Sequence, residues 1–133
     1  MEFRAPLQRA RDEGEAGVIE MSRHRFEALV EAALDEVPGE LAKHIDNCVV
    51  LVEDDPPPGD PDLLGVYQGT PLTERGSAYT MALPDRITIF RNPLLDMCTS
   101  EQQVVDEVRI TVVHEIAHHF GIDDERLHEL GYA

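Results

Sequence analysis

Residues 114–124 read HEIAHHFGIDD, and this stretch at the end of a long apolar pattern decides the fold. Thr99 with Gln102 forms a capping-box pattern that predicts the start of a helix. Gly121 is expected to end that helix in a left-handed conformation. Between these limits, apolar residues recur at helical spacing and predict a helix over about residues 100–120. They are Val104, Val105, Val108, Val112, Ile116 and Phe120.

This helix carries the motif HExxH, in which His114 and His118 are four residues apart and share one face. Two imidazoles at this spacing can each reach one zinc ion at about 2.1 Å. Glu115 projects roughly 100° around the helix from His114, where it can hold a water molecule without being a ligand. Zinc lowers the pKa of water that it binds toward about 7, so a carboxylate can take the proton during attack on a carbonyl. The motif therefore predicts a Zn2+ site with Glu115 as the catalytic residue.

The motif continues as HExxHxxGxxD, and the added residues have a mechanical meaning. A helix cannot return a third ligand to a site on its own flank. Gly121 permits a positive φ, so the chain can reverse and a residue three positions later can reach the metal. This spacing favours Asp124 as the third ligand, with Asp123 in the same turn as the alternative.

The sequence resembles the zincin metallopeptidases, among them the metzincin-type enzymes with the long HExxHxxGxxH/D pattern. It is closer still to a small bacterial family of zincin-like metallopeptidases, whose members have a similar length and carry HEIAHHFGIDD near the C-terminus. The resemblance runs from about Met21 to Ala133 and includes LLGVYQGTPLTERGS, LPDRITIFRNPL and EVRITVVHEIAHHFGIDDERLHELGY. It implies a zinc-dependent peptidase on a minimal zincin fold, acting on a peptide or protein substrate. The implied site residues are the metal ligands His114, His118 and Asp124 and the general base Glu115.

Residues beyond the motif leave alternatives open. Almost nothing follows the motif, so the downstream Met-turn of full metzincins is missing. Another branch of the zincins takes its third ligand from a glutamate on a later helix, which keeps Glu129 as a candidate. His128 or Tyr132 could stabilise the oxyanion of a tetrahedral intermediate, although ordinary packing is the more common role of such side chains. His119 has no predicted role. Arg75, Glu74 and Arg86 are expected to anchor loops by salt bridges.

Two other functions compete with a peptidase. The first is a non-catalytic protein-binding module stabilised by zinc, which the intact Glu115 disfavours because a structural site needs no base. The second is a metal-dependent ribonuclease, because a bacterial rRNA-processing hydrolase family has a similar HxxxHxxGxxH spacing. That family lacks the glutamate after the first histidine. Two histidines and a carboxylate also suit iron, manganese or nickel, so the residue types alone do not select zinc.

Composition excludes several classes of protein. The 133 residues suit one domain, and 42% hydrophobic with 29% charged residues is typical of a folded chain. A formal net charge of −16 repels phosphate backbones, so no nucleic acid is expected as a partner. No apolar run reaches the length of a membrane span or a signal peptide, which predicts a cytoplasmic protein with no membrane partner. Cys48 and Cys98 are expected to be reduced thiols. The sequence leaves the oligomeric state open.

The rest of the chain predicts an α+β fold, in which a small mixed β-sheet packs on the active-site helix and an N-terminal helix. Residues 1–20 lack apolar periodicity and predict a disordered extension before a domain over residues 21–133. A helix is predicted over about residues 22–37, with Ser22 as a plausible N-cap.

Strands are predicted from short apolar or alternating runs. Residues 48–52 are expected to form a buried strand, and further strands are expected at 63–67, 79–83 and 86–90. The proline-rich EDDPPPGDPD segment after the first of these is expected to be an exposed loop. The strand at 86–90 is the candidate sheet edge to which an extended substrate peptide would add.

Overall fold

The computed structural model describes residues 2–4, 19–37, 39–43, 45, 47–76, 84–122 and 125. The helices are α1 (Arg23–Asp35), α2 (Gly39–Ala42), α3 (Arg91–Asp96) and α4 (Glu101–His119). The strands are β1 (Glu2–Arg4), β2 (Cys48–Glu53), β3 (Leu63–Gln68) and β4 (Asp85–Phe90), and a 3₁₀ turn spans Leu72–Glu74. The α+β class is confirmed. Among the helices of the described part, none is both long and apolar enough to cross a membrane.

The strands form one mixed sheet in the order β1-β3-β4-β2. β3 is antiparallel to both β1 and β4, whereas β2 is parallel to β4. The prediction that residues 86–90 form a free edge is therefore wrong, because β4 is paired on both sides. The burial of the β4 side chains explains its position inside the sheet. Ile87 and Ile89 face the core, and Thr88 and Phe90 on the opposite face are also buried, a pattern that favours an inner strand.

Among the described strands, β2 forms one edge of the sheet. The sequence predicts a buried strand here, but only its inward residues are covered. Val50 and Val52 pack on the core, while Val49 and Leu51 are 41% and 40% exposed on the other face. A continuous apolar run does not by itself distinguish an inner strand from an edge strand, which is why this prediction failed.

The beginning of the chain also differs from the prediction. Glu2–Arg4, part of the expected disordered extension, forms β1 and pairs with β3, with Phe3 opposite Gly65. Residues 5–18 and the whole strand predicted at 79–83 lie outside the described residues.

The core lies between the sheet and the two longer helices. Ser22 caps α1 as predicted, because its hydroxyl accepts a hydrogen bond from the backbone N–H of Arg25 at 3.1 Å. α1 packs against α4, which in turn packs against β3 and β4. The buried cluster between them includes Phe26, Val30, Leu64, Ile87, Ile89, Val104, Val108, Val112 and Ile116.

Helix α4, which carries HExxH, begins one residue later than predicted. Its N-cap is Ser100, whose hydroxyl accepts from the backbone N–H of Gln103 at 3.2 Å. Thr99 instead donates its backbone N–H and its hydroxyl to the side chain of Gln103. The cap therefore lies one residue after the predicted Thr99.

The end of α4 agrees with the prediction. Gly121 has a φ of 82°, its N–H donates to His118 O at 3.0 Å, and the N–H of Ile122 donates to Ala117 O at 2.8 Å. These two bonds define a Schellman turn, which reverses the chain as it leaves the helix. Thr73 of the 3₁₀ turn packs directly on Gly121, since a Cβ added there would lie 2.1 Å from Thr73 Oγ1.

We expect Gly121→Ala to destabilise the protein by about 1–3 kcal/mol, because the change adds a positive-φ penalty and a clash with Thr73. Gly59→Ala is the matched control. A Cβ at Gly59 meets no atom within 4 Å, so that variant should stay within about 1 kcal/mol of the wild type. Urea unfolding of both variants measures the difference. Equal stabilities would contradict the turn geometry.

Candidate metal and catalytic site

The three motif side chains lie together and are buried. His114 is 6% exposed, His118 2% and Glu115 0%, all on the last turns of α4. The two imidazole rings have centroids 5.4 Å apart and planes at 85°. The helical spacing therefore brings these histidines side by side, as the sequence predicted.

The Glu115 carboxylate has two different environments. Its Oε1 lies 3.2 Å from His118 Nδ1. Its Oε2 has no hydrogen-bond partner within the part of the chain that the structure describes. This oxygen faces β3, where a Cβ added to Gly65 would lie 3.3 Å from it and 3.0 Å from Thr111 Cγ2. Glycine thus lets β3 approach the helix at this point, and a buried carboxylate oxygen is left to accept a proton or a hydrogen bond from a ligand.

The donor types fit a divalent metal such as zinc. Contact between His118 Nδ1 and Glu115 fits the tautomer in which Nδ1 carries the proton and Nε2 holds the lone pair for a metal. Two neighbouring imidazoles are common ligands of zinc. Within residues 2–4, 19–37, 39–43, 45, 47–76, 84–122 and 125, no group of three His, Cys, Asp or Glu side chains is arranged to hold a metal.

The candidates for the third ligand all lie outside the described residues. They are Asp124, Asp123 and Glu129, and the proposed oxyanion donors His128 and Tyr132 lie outside as well. The complete ligand set therefore stays a prediction, and the described geometry supplies the histidine pair and Glu115.

A second buried polar cluster, which we call the Asp85 cluster, adjoins the end of α4. It consists of Asp85, Tyr67, Thr70, Arg75 and His119. His119 Nδ1 donates to Asp85 Oδ2 at 3.1 Å, and Arg75 Nη2 donates to the same oxygen at 2.8 Å. The Tyr67 hydroxyl also donates to Oδ2, while the backbone N–H of Thr70 donates to Oδ1 at 3.1 Å. The expected anchoring role of Arg75 is confirmed, because it also donates to Thr70 O at 2.8 Å.

Protonation in this cluster follows from its contacts. Burial would raise the pKa of Asp85, but hydrogen bonds from Tyr67, Thr70, Arg75 and His119 outweigh it and hold the pKa below its usual value. Burial first, and then the hydrogen bond to Asp85, raise the pKa of Tyr67, so its hydroxyl keeps its proton and acts as the donor. The cluster therefore centres on a buried, ionised carboxylate.

Sequence reasoning missed Asp85 and gave His119 no role. These residues are 34 positions apart, and nothing in a single sequence links them. The only local signal was an acidic residue directly before an apolar strand, which more often marks a turn. Gly65 was missed for the same reason, because its close approach to Glu115 depends on tertiary packing.

A small mixed sheet packed on a helix that carries HExxH defines the chain as zincin-like. The sequence model of the zincin-like metallopeptidase family matches residues 45–132, so the chain belongs to that family. The chain is also similar to a solved structure of a conserved hypothetical protein from Thermus thermophilus, at 26% identity and a TM-score of 0.54. That likeness covers 75% of this chain and 94% of the other. No curated protein matches the chain.

Proposed function

We propose that the protein is a zinc-dependent metallopeptidase that hydrolyses peptide bonds, with Glu115 as its general base. The observation that carries this proposal is the buried Oε2 of Glu115, which no described residue satisfies, on the same helix as a buried histidine pair. Leaving a buried acceptor unpaired costs about 1–3 kcal/mol. A purely structural metal site has no need for such a group, whereas a base must keep an oxygen available for a proton.

In this proposal His114, His118 and Asp124 hold the metal. A bound zinc ion supplies a Lewis acid that polarises the scissile carbonyl and makes water more acidic. Glu115 accepts the proton of the attacking water at a carboxylate oxygen and then delivers it to the leaving amine nitrogen. Burial of Glu115 and of both imidazoles keeps bulk water away from this proton transfer.

Cleavage of a diverse peptide library by the zinc-loaded protein tests the proposal, with the chelated apoprotein as the control. We expect cleavage only in the loaded sample, and readdition of zinc should restore it. A protein that binds zinc stoichiometrically but cleaves nothing would favour the alternative of a zinc-stabilised protein-binding module.

The identity of the third ligand gives a separate prediction. Asp124→Ala should weaken zinc binding by at least ~10-fold more than Asp123→Ala, because the spacing of ten residues from His114 favours the later position. Both substitutions remove one carboxylate from neighbouring positions, so each controls for the other. Competition with a chelating dye measures both affinities. A greater loss in Asp123→Ala would show that the chain leaves the turn in another direction.

A further inference from the structure

Two contacts hold the chain where it leaves α4, and both lead to Asp85. The first is the hydrogen bond from His119, which is fully buried in the last turn of the helix. The second is the packing of Thr73 on Gly121. Thr73 belongs to the loop of residues 69–76, which Thr70 and Arg75 fasten to the same carboxylate. The buried side chain of Asp85 thus holds the turn in two ways, through His119 on the helix and through the 69–76 loop.

This turn separates the two parts of the proposed metal site. His118 is the last motif histidine, and the chain then passes through residues 119–122 before it reaches Asp123 and Asp124. The direction in which the chain leaves Gly121 decides where a third ligand can lie. A turn that is already fixed in the apoprotein loses less conformational entropy when a ligand binds, and the affinity is correspondingly higher.

The composition of the cluster points to positioning rather than to stability alone. The side chains of Asp85 and Arg75 are 4% and 8% exposed, so both charges have lost most of their hydration. Buried ion pairs often stabilise a fold no better than apolar residues of the same size, but their directional bonds specify one arrangement. Here the directional bonds converge on the Asp85 carboxylate, and one of them comes from His119, the residue next to His118.

We propose that Asp85 is a positioning residue for the metal site, acting through His119 and the 69–76 loop to fix the turn that presents the third ligand. This inference rests on the proposed zinc site but not on the peptidase activity. Asp85 itself does not touch the metal or the substrate in this scheme. The measurable consequence is zinc affinity.

Two substitutions of His119 separate positioning from packing. His119→Leu introduces an apolar side chain of similar size and removes the donor to Asp85, whereas His119→Asn retains a donor near the position of Nδ1. Thr111→Val is the matched control on the same helix. It removes another buried hydrogen bond, from Thr111 Oγ1 to Glu107 O at 2.7 Å, but leaves the turn untouched. Asp85→Asn keeps the shape of the side chain at the centre of the Asp85 cluster and removes its charge.

The zinc Kd of the full chain is measured by competition with a chelating dye, at a temperature well below the melting transition of each apoprotein. We expect His119→Leu and Asp85→Asn to raise the Kd about tenfold, the lower end of the range for groups that support a metal ligand. His119→Asn and Thr111→Val should remain within about threefold of the wild type. If Asp85→Asn does not fold, the difference in Kd between the two His119 variants tests the inference.

A double-mutant cycle provides a measurement of zinc Kd that distinguishes positioning by His119 from a purely structural role. In an Asp124→Ala background there is no third ligand left to position, so His119→Leu should no longer change the Kd. An unchanged Kd in His119→Leu, with only a lower melting temperature, would overturn the inference and leave the peptidase proposal intact. An equal effect in both backgrounds would overturn it as well. A wild type that binds zinc and cleaves nothing would overturn the proposed function alone.

Discussion

Glu115→Gln should keep its zinc and its fold and lose at least ~100-fold in the rate of peptide hydrolysis, the usual scale for removal of a general base. Glutamine has the size of glutamate and can still hydrogen-bond to water, but it cannot accept a proton. The side chain is fully buried, and the amide oxygen of glutamine can still accept the hydrogen bond from His118 Nδ1. The expected loss is therefore in kcat, with zinc content unchanged.

The matched control is Glu107→Gln, the same change in another buried glutamate of α4. Glu107 lies eight residues earlier, about 12 Å along the helix axis, and should leave hydrolysis within about twofold of the wild type. Rates must be compared in zinc-loaded protein with measured zinc content, because apoprotein would imitate a catalytic loss. If Glu115→Gln loses its metal, the glutamate belongs to the ligand set. Equal cleavage by the variant and the wild type would indicate a contaminating protease and remove the support for an enzyme.

The features predicted correctly from sequence are those that local spacing decides. The apolar period of α4, its end at Gly121 and the side-by-side placement of His114 and His118 all depend on residues less than a few turns apart. The capping hydroxyl of α1 is equally local, and it too was found at Ser22. For such features the backbone geometry of one element is sufficient.

The features that failed depend on which strands become neighbours. β4 is expected at an edge by likeness to zincins, yet this strand is paired with β3 and β2. The uniformly apolar residues of β2 predict a buried strand, yet Val49 and Leu51 remain partly exposed. Strand order is set by long-range packing, and a single strand's composition does not encode it.

The candidate site shows the same difference between local and long-range features. HExxH could be located because helical spacing places its side chains, but the contacts that support the motif come from distant segments. Gly65 in β3 gives Glu115 its close backbone neighbour, and Asp85 in β4 holds His119. The net charge of −16 did not help to locate the site. The described site residues are buried, and their contacts depend on individual side chains rather than on the net charge of the chain.

Loss of either motif histidine should abolish stoichiometric zinc. Purified wild-type protein is expected to carry close to one zinc per chain, while His114→Ala and His118→Ala should each retain almost none, because two remaining ligands hold zinc poorly. Each substitution also empties a buried position, so circular dichroism must show that the helix content is retained. Elemental analysis after dialysis against a weak chelator measures the metal.

His24→Ala is the matched control, since it makes the same change at an exposed position of α1. Its zinc content should equal that of the wild type, which separates a specific site from zinc bound to surface histidines. The two motif histidines should behave alike, because their rings lie 5.4 Å apart and each would supply one nitrogen to the proposed zinc ion. Full zinc occupancy in both motif variants would rule out this site whatever the peptidase assays showed. Loss in only one of them would mean that the other imidazole serves as a substrate contact, and the metal would then need a ligand from elsewhere in the chain.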